Sequence, residues 1–481
     1  MLESILDFTI SILRPASMAF IALCCLLGLA RYFRAAFWAY SILVCTLYGL
    51  FFDLYAVAVL GGRIPYYSSF QAAKDVAWLL IAAVFVLHAL RTGIRELPVP
   101  HWLGLVFLGF FIYMIATLGR SYPAIGPVGA AIAVRNTFGY VLAAYMVVYS
   151  VRRRGDLLRI VKWCSCLTFG IGMYALIQFI YNLPSPYLAL TGEEWKTATD
   201  FRFVHASFIS YIELGLFANI MIVLLISVYG CARRYVPRHF IWPPILVAAL
   251  AIVASQSRAG VAILVVLGVL SSVISEKAFL RVLVTLTMVG LIGGSLALQF
   301  SESGALRLAR GDVLSDPRLA SGWRELIPII NENLFTGAGM GRYGPAAVKA
   351  SELGEGFTTG YVDSTFLTML VNGGIVGILL SMILVGGIIH FVNREIERTV
   401  DPLSRGLMRG IRMALLVVLA YSIPFNVLDG FPGNFYFWFL IGLGMAIARL
   451  NRRQSMIGER EDIRRGDVSG VLRLGDGSAR A

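Results

Sequence analysis

The chain has 481 residues, of which 58% are hydrophobic and only 14% are charged. This apolar surface exceeds what a soluble core can bury, and apolar runs of about 20 residues recur, so the sequence predicts an all-α, polytopic integral membrane protein. The formal net charge of +13 does not indicate nucleic-acid binding, because no basic patch carries interleaved aromatic residues and cytoplasmic loops of membrane proteins are normally basic.

Apolar runs predict about thirteen transmembrane helices, about ten in residues 1–300 and about three in residues 365–450. The candidate spans are 9–30, 37–60, 75–90, 102–118, 128–149, 160–181, 206–229, 241–254, 259–275, 281–299, 365–390, 407–425 and 434–449. Residues 301–364 form the long polar loop between spans. Residues 451–481 are rich in Arg, Asp and Gly, and we expect a disordered cytoplasmic tail because they cannot bury enough apolar surface.

The positive-inside rule sets the predicted orientation. Three loops are basic: Arg152, Arg153, Arg154, Arg159 and Lys162 in one; Arg233, Arg234 and Arg238 in another; Arg394, Arg398, Arg405, Arg409 and Arg412 in the third. If these loops are cytoplasmic, loops 182–205 and 301–364 face outward, as do the short turns near Ser255, Arg120 and Phe425. The amino terminus is then also outside.

Arg258 lies in S-Q-S-R-A-G (255–260), a turn between two apolar runs so close together that it must lie at the membrane surface. An arginine at a helix end often only snorkels. Positive charge is normally kept off the outer side, however, so we favour a functional arginine, with Ser257 as a neighbouring hydroxyl donor. A guanidinium can bind phosphate through two parallel hydrogen bonds.

Arg135 lies inside the predicted span 128–149, about 12 Å below its outer end at 1.5 Å per residue. Burying an arginine there costs about 2.5–3.5 kcal/mol on insertion scales, so a partner or a wet cavity is expected. Glu213 and Asp53 are the candidate counter-ions. A structural ion pair and a substrate contact both remain open.

The long loop mixes both charges and so is not a uniformly basic lid. Its charged residues are Arg307, Arg310, Arg318, Arg324, Arg342 and Lys349, with Glu302, Asp312, Asp316, Glu325, Glu332, Glu352 and Glu355. Trp323 and Tyr343 are candidates for stacking on sugar rings, although Trp323 equally suits packing on the membrane face. The stretch that begins at Trp323 has the apolar spacing of a short helix interrupted at Pro328.

Four glycines follow that stretch, at Gly337, Gly339, Gly341 and Gly344. The last three match G-x-G-x-x-G, but no βαβ pattern surrounds them, so we reject a dinucleotide site. The glycines are expected to let the backbone turn sharply and approach a ligand closely.

Asp363 and Ser364 end the loop just before the span 365–390. An aspartate there can cap the incoming helix, or it can accept a proton from a sugar hydroxyl at the outer membrane face. Of the five histidines only His205 lies on the predicted outer side, and no cluster has the spacing of metal ligands. We therefore expect chemistry without a metal or cofactor.

Three motifs in this order resemble the O-antigen ligase and Wzy-type polysaccharide polymerase superfamily. They are S-Q-S-R-A-G, then W-(x)9-N-L-F-T-G-A-G-M-G, then V-D-S-T-F-L-(x)4-N-G-G-I-V-G, and the resemblance covers roughly residues 240–390. It implies a metal-independent glycosyltransferase of the bacterial inner membrane that takes glycan from undecaprenyl pyrophosphate. The turn arginine of the family matches Arg258, and a loop arginine, here Arg318 or Arg324, is the second implied pyrophosphate ligand.

Ligases of this family typically carry a histidine near the loop's end, where this chain has Asp363-Ser364, a pattern more like exopolysaccharide polymerases. The resemblance therefore implies polymerisation of lipid-linked repeat units, with a flippase and a chain-length regulator as partner proteins. An O-antigen ligase is the first alternative. A transporter of the same lipid-linked sugars is the second, with some support from Arg135, Glu213 and Asp53. A non-catalytic assembly subunit is less favoured because of the outer arginine and loop.

Overall fold

The computed structural model describes residues 34–35, 37–42, 67–93, 99–181, 204, 206–208, 210–255, 257, 259–266, 323–344, 347, 362 and 364–464. Ten helices within them are α1 Tyr67–Thr92, α2 His101–Phe138, α3 Val141–Ser150, α4 Arg154–Tyr181, α5 Tyr211–Ala232, α6 Arg238–Ala254, α7 Trp323–Glu332, α8 Thr365–Arg398, α9 Pro402–Ser422 and α10 Gly433–Arg464. Residues 37–42 and 259–266 are also helical, and this described part of the chain contains no strand.

Five of these helices are long and apolar enough to cross a membrane: α2, α4, α5, α8 and residues Gly433–Gln454 of α10. The prediction of a helical membrane protein is thereby confirmed. The count of thirteen spans and the outward position of the long loop stay predictions, since much of both lies outside the described residues.

The predicted spans 102–118 and 128–149 are two arms of one folded-back segment. Helix α2 breaks at Gly126, whose φ is 63°, and the ring of Phe138 contacts the rings of Phe110 and Phe111 at 6.0 and 4.8 Å. Residues so far apart in sequence meet only if the chain reverses between them. The second arm then continues into α3.

Glycines allow the central helices to approach closely. Helix α9 packs against α5, α8 and α10, and α5 also packs against α6. A Cβ added at Gly406 or Gly410 of α9 would lie 3.0 Å from the Cα of Val228 or 2.9 Å from that of Leu224 on α5. Small residues at helix interfaces are expected in a membrane, where close packing takes over from the hydrophobic effect.

The three basic loops meet at one end of the bundle, called here the basic end. Arg154 forms an ion pair with Asp401, and its guanidinium lies 4.5 Å from the centre of the Tyr235 ring. Arg409 donates to Cys231 Sγ at 3.5 Å. The opposite end, called the loop end, holds the break in α2, the turn 255–260, residues 333–344 and the turn 423–432.

Helix α10 extends through Arg464, so residues 451–464 are helical and the expected disordered tail does not begin at residue 451. The start of this extension is anchored at the basic end. Asn451 donates to Thr399 Oγ1 at 2.8 Å, and Arg452 lies 3.3 Å from a carboxylate oxygen of Glu395. The strong helix formers in this stretch continue the helix from that anchor.

Candidate functional site

The two loop motifs of the sequence form one structural unit at the loop end. Backbone N–H groups of Ala338 and Gly339 donate to the carbonyls of Val371 and Asn372 at 2.7 and 3.0 Å. The Asn372 side chain accepts from Tyr343 N–H and donates to Tyr343 O, both at 3.0 Å. Residues 333–344, named here the glycine segment, are therefore joined to the first turns of α8.

Positive φ angles explain the glycines of this segment. The φ values are 70° at Gly337, 109° at Gly339, 82° at Gly341 and 92° at Gly344. Residues that carry a side chain rarely adopt such angles. A Cβ at Gly337 would lie 2.3 Å from the carbonyl oxygen of Asn372. The expected sharp turns are present, and the surface that this backbone approaches is protein.

Helix α8 is broken to receive the glycine segment. Gly374 has a φ of 63°, and a Cβ there would lie 2.4 Å from the carbonyl oxygen of Phe335. Beyond the break, the N–H groups of Ile375 and Val376 donate to the carbonyls of Leu334 and Phe335 at 2.9 and 3.2 Å. The N-G-G motif thus forms a helix break whose backbone groups are satisfied by the segment beside it.

The turn 255–260 is anchored by a buried polar network. Asn219 on α5 donates to the carbonyls of Gly215 and Gly260 at 3.0 and 3.1 Å, and it is 3.1 Å from the Tyr421 hydroxyl. Ser257 is only 1% exposed and its Oγ accepts from Gly260 N–H at 3.1 Å. Burial and this bond favour a structural role for Ser257 in shaping the turn.

Ser364 provides the N-cap of α8. Its Oγ accepts from Leu367 N–H and donates to the carbonyl of Ser422, both at 3.4 Å. The next residue is also held, because Thr365 N–H donates to the carbonyl of Phe425 at 3.2 Å. The capping role that the sequence allows for Asp363 therefore belongs to its neighbour.

Both predicted site motifs reach the same end of α9. An added Cβ at Gly260 would lie 3.0 Å from the Tyr421 hydroxyl and 3.1 Å from Ser257 Cβ, so these two side chains are neighbours. Ser364 contacts Ser422, the residue that follows Tyr421. The chain neighbours of Arg258 and Asp363 are thus brought together although they are far apart in sequence.

Arg135 forms an ion pair with Asp75 of α1 at 2.5 Å. It also donates to Asn136 Oδ1 at 2.7 and 3.1 Å. The predicted partner Glu213 is wrong, and Asp53 lies outside the described residues. The expectation of a partner for Arg135 is met by the half-buried Asp75 of α1, and the ion pair favours the structural interpretation of Arg135.

A small pocket of about 30 Å³, room for about one water molecule, lies between α2, the glycine segment, α8 and the turn 423–432. Its polar lining includes Asn136, Tyr343, Thr368, Asn372 and Asp429. The pocket therefore joins the glycine segment and the N-G-G break to a carboxylate.

Asp429 was missed by the sequence reasoning. Burial raises the pKa of its carboxyl to about 6, and a hydrogen bond from Asn426 partly opposes that shift. Asn426 is itself held, because its Nδ2 donates to Thr368 Oγ1 at 2.7 Å. The sequence feature that could have identified Asp429 is its position in the turn near Phe425, which the sequence predicts to lie on the outer side.

The remaining predicted residues are only partly covered by the structure. Arg342 is exposed and Tyr343 is half-buried. Arg258, Arg318 and Asp363 lie outside the described residues, and Trp323 and Arg324 open α7 without described side chains.

Helix α7 runs through Pro328, so the predicted interruption is wrong. Its apolar face supports it, because Leu326 is buried against Val362 and Val371. This packing outweighs the single backbone hydrogen bond that a proline removes.

Residues 243–382 match the model of a family described as O-antigen ligase. No curated protein matches the chain significantly. The matched range begins in α6, contains the turn 255–260 and the glycine segment, and ends in α8, so it covers the units that meet at the loop end. Within the described residues no group of three or more His, Cys, Asp and Glu could hold a metal, and chemistry without a metal stays a prediction. Residues 243–382 are thus similar to the O-antigen ligase family, and this match confirms the resemblance that the motifs indicated.

Proposed function

We propose that this protein polymerises undecaprenyl-pyrophosphate-linked oligosaccharide repeat units at the periplasmic face of the bacterial inner membrane. The observation that carries the proposal is the meeting of the turn 255–260 and the start of α8 at Tyr421 and Ser422. It supports a single site that contains both Arg258, which follows Ser257 in the chain, and Asp363, which precedes Ser364. The family match supports the enzyme class.

In this proposal the basic end faces the cytoplasm and the loop end faces the periplasm. Three arginine-rich loops at one end support that orientation, because positive charge is retained on the cytoplasmic side. The donor's lipid tail stays in the bilayer, so a pyrophosphate at the outer surface lies at the level of the loop end.

Arginines hold the donor. Arg258 and one loop arginine, Arg318 or Arg324, bind the pyrophosphate and stabilise the charge that develops as the sugar leaves. Exposed Arg342 is a further pyrophosphate contact, while Trp323 and Tyr343 contact sugar rings. The acceptor oxygen forms a bond to the anomeric carbon of the donor as the bond from that carbon to the pyrophosphate oxygen breaks.

A carboxylate takes the proton of the acceptor hydroxyl. Asp363 is the first candidate, because Ser364 already caps α8 and the Asp363 carboxylate is therefore not needed as the cap. Asp429 is the second candidate, because its pKa near 6 makes it a better base than an ordinary aspartate. Either way, transfer occurs late, once the anomeric carbon has become strongly electrophilic.

Polymerase activity is favoured over ligase activity by Asp363-Ser364 standing where the family's ligases typically have histidine. The test uses purified protein in vesicles with a lipid-linked repeat unit, and we expect longer lipid-linked glycans with release of undecaprenyl pyrophosphate. Transfer only to lipid A-core would show a ligase. Movement of the substrate between leaflets without bond formation would show a transporter.

The same assay tests the donor site. Arg258→Ala should abolish product while the protein remains inserted, and Arg258→Lys should rescue poorly because an ammonium cannot form the two-pronged contact. Arg453→Ala is the matched control, an exposed arginine on α10 at the opposite end. Wild-type yield from Arg258→Ala would contradict the pyrophosphate contact.

A further inference from the structure

A second and larger cavity, of about 350 Å³, lies on the basic half of the bundle, away from the candidate site. It opens between the helical residues 34–35 and 37–42, α4 and α10. Its lining is formed by Arg34, Trp38, Ser41, Ile42, Ser150, Asp156, Arg159, Ile160, Trp163, Cys164, Leu167, Met221, Phe435, Tyr436 and Phe439. Cavities of this size bind small organic molecules.

The polar end of this cavity contains two orphaned groups. Arg34 Nη2 and Ser150 Oγ are buried and have no hydrogen-bond partner in the described part of the protein. Ser150 is only 4% exposed. Leaving a buried donor unsatisfied costs free energy, and the cost is larger for a charged group, so a ligand with acceptor oxygens would be favoured here.

The nearby carboxylate of Asp156 is already engaged. Its Oδ2 accepts from the backbone N–H groups of Arg152 and Arg153 at 3.0 and 3.1 Å, and its Oδ1 lies 3.4 Å from Arg159 Nη1. Asp156 therefore stabilises its own loop. Arg34 Nη2 and Ser150 Oγ remain without a partner, and these two donors favour an anion.

The rest of the cavity is apolar and aromatic. Arg159, Trp163 and Leu167 follow at intervals of four residues, so they lie on one face of α4 and extend about 12 Å inward from the basic end. On the opposite wall the rings of Trp38 and Phe439 contact each other at 5.9 Å. A charged mouth at the membrane surface and an apolar interior match a phosphate headgroup with an acyl chain.

We propose that this cavity binds one anionic phospholipid of the inner leaflet, with its phosphate at Arg34 and Ser150 and one acyl chain between Trp38 and Trp163. A bilayer offers both anionic and zwitterionic lipids. The positive charge of Arg34 favours the anionic lipid, because that lipid carries a net negative charge. The site lies at the basic end, so it is separate from the proposed donor site. Its assignment to the inner leaflet rests on the proposed orientation, but lipid binding itself does not depend on the proposed enzymatic activity.

The test is lipid retention by the full-length chain. Protein reconstituted in phosphatidylcholine vesicles with a minority of phosphatidylglycerol is extracted in mild detergent, and the retained lipid is counted by native mass spectrometry. We expect one phosphatidylglycerol on the wild type. Arg34→Ala should lower retention by about tenfold, since a charge-assisted hydrogen bond is lost.

Two controls keep the result specific. Arg453→Ala removes an exposed arginine at the same end outside the cavity and should retain lipid like the wild type. Leu167→Trp fills the apolar part of the cavity and should also reduce lipid retention. If only the headgroup were bound, this substitution would leave retention unchanged. Thermal unfolding verifies that each variant is folded.

Three results would overturn the proposal. They are equal retention of phosphatidylcholine and phosphatidylglycerol, unchanged retention by Arg34→Ala, and displacement of the lipid by inorganic phosphate. The last would identify a site for a free anion.

Discussion

Ser364 and Asp363 are adjacent in sequence, and the structure assigns the capping of α8 to Ser364. Because Ser364 caps α8, Asp363→Asn should leave thermal stability nearly unchanged while turnover falls by roughly 10²–10⁴-fold if Asp363 takes the acceptor proton. The measurement is turnover of the purified variant on a lipid-linked repeat unit, with its melting temperature.

Ser364→Ala is the matched control for that experiment. Loss of an N-cap should lower stability by about 1 kcal/mol without removing the carboxylate. Near-normal turnover by Asp363→Asn would remove Asp363 from the mechanism and leave Asp429 as the candidate base.

Asp429 should make stability depend on pH. Its folded-state pKa of about 6 lies above the value near 4 of an unfolded aspartate, so the protonated form favours the fold. Stability is therefore lost as pH rises from about 4 to about 6. Asp429→Asn, which removes the charge, should raise the melting temperature above pH 6 and change it little below pH 4.

The free-energy gain of Asp429→Asn has an upper bound of about 3 kcal/mol, because each pKa unit is worth about 1.4 kcal/mol. Melting curves in detergent at several pH values between 4 and 7.5 measure it. A gain of the same size at every pH would show that the carboxyl is not shifted by burial.

At the scale of elements, the break in α8 joins the family's two loop motifs. Gly374→Ala should destabilise the protein by at least about 1–2 kcal/mol, because an L-residue at a φ of 63° is strained and its Cβ would overlap Phe335 and Gly337. Activity should fall with it, since the glycine segment loses its anchor. Thermal unfolding and turnover measure the two effects.

Gly386 on the same helix provides the comparison. A Cβ there meets nothing within 4 Å, so Gly386→Ala should be neutral or stabilising, as replacing a glycine inside a helix usually is. Equal destabilisation by both variants would mean that the break at Gly374 has no special role.

For the whole molecule, the proposed orientation requires the two ends of the bundle to face different compartments. Phe335 at the loop end is 69% exposed, and Arg453 at the basic end is also exposed. With a membrane-impermeant thiol reagent, Phe335→Cys should react in spheroplasts, whereas Arg453→Cys should react only after permeabilisation. The unsubstituted chain, which keeps its own cysteines, is labelled in parallel to measure the background reaction. The reverse pattern would place the donor site in the wrong compartment and contradict the proposed function.

The sequence by itself determined the features that depend on short stretches of chain. Apolar composition and run length identify a helical membrane protein, and the predicted span 365–390 lies within α8. Loop arginines mark one end of the bundle, and the order of three motifs indicates the family whose model matches residues 243–382. These features follow from local hydrophobicity and from residue identity, neither of which needs a packed structure.

Only the tertiary structure decided which distant residues meet. The Asp75 partner of Arg135, the junction of the glycine segment with Asn372, and the pocket that contains Asp429 all depend on how helices pack. The continuation of α7 through Pro328 likewise depends on the burial of Leu326 against α8. Helix packing selects one pairing among many that the same local patterns allow, because contact free energies arise only when the surfaces are brought together.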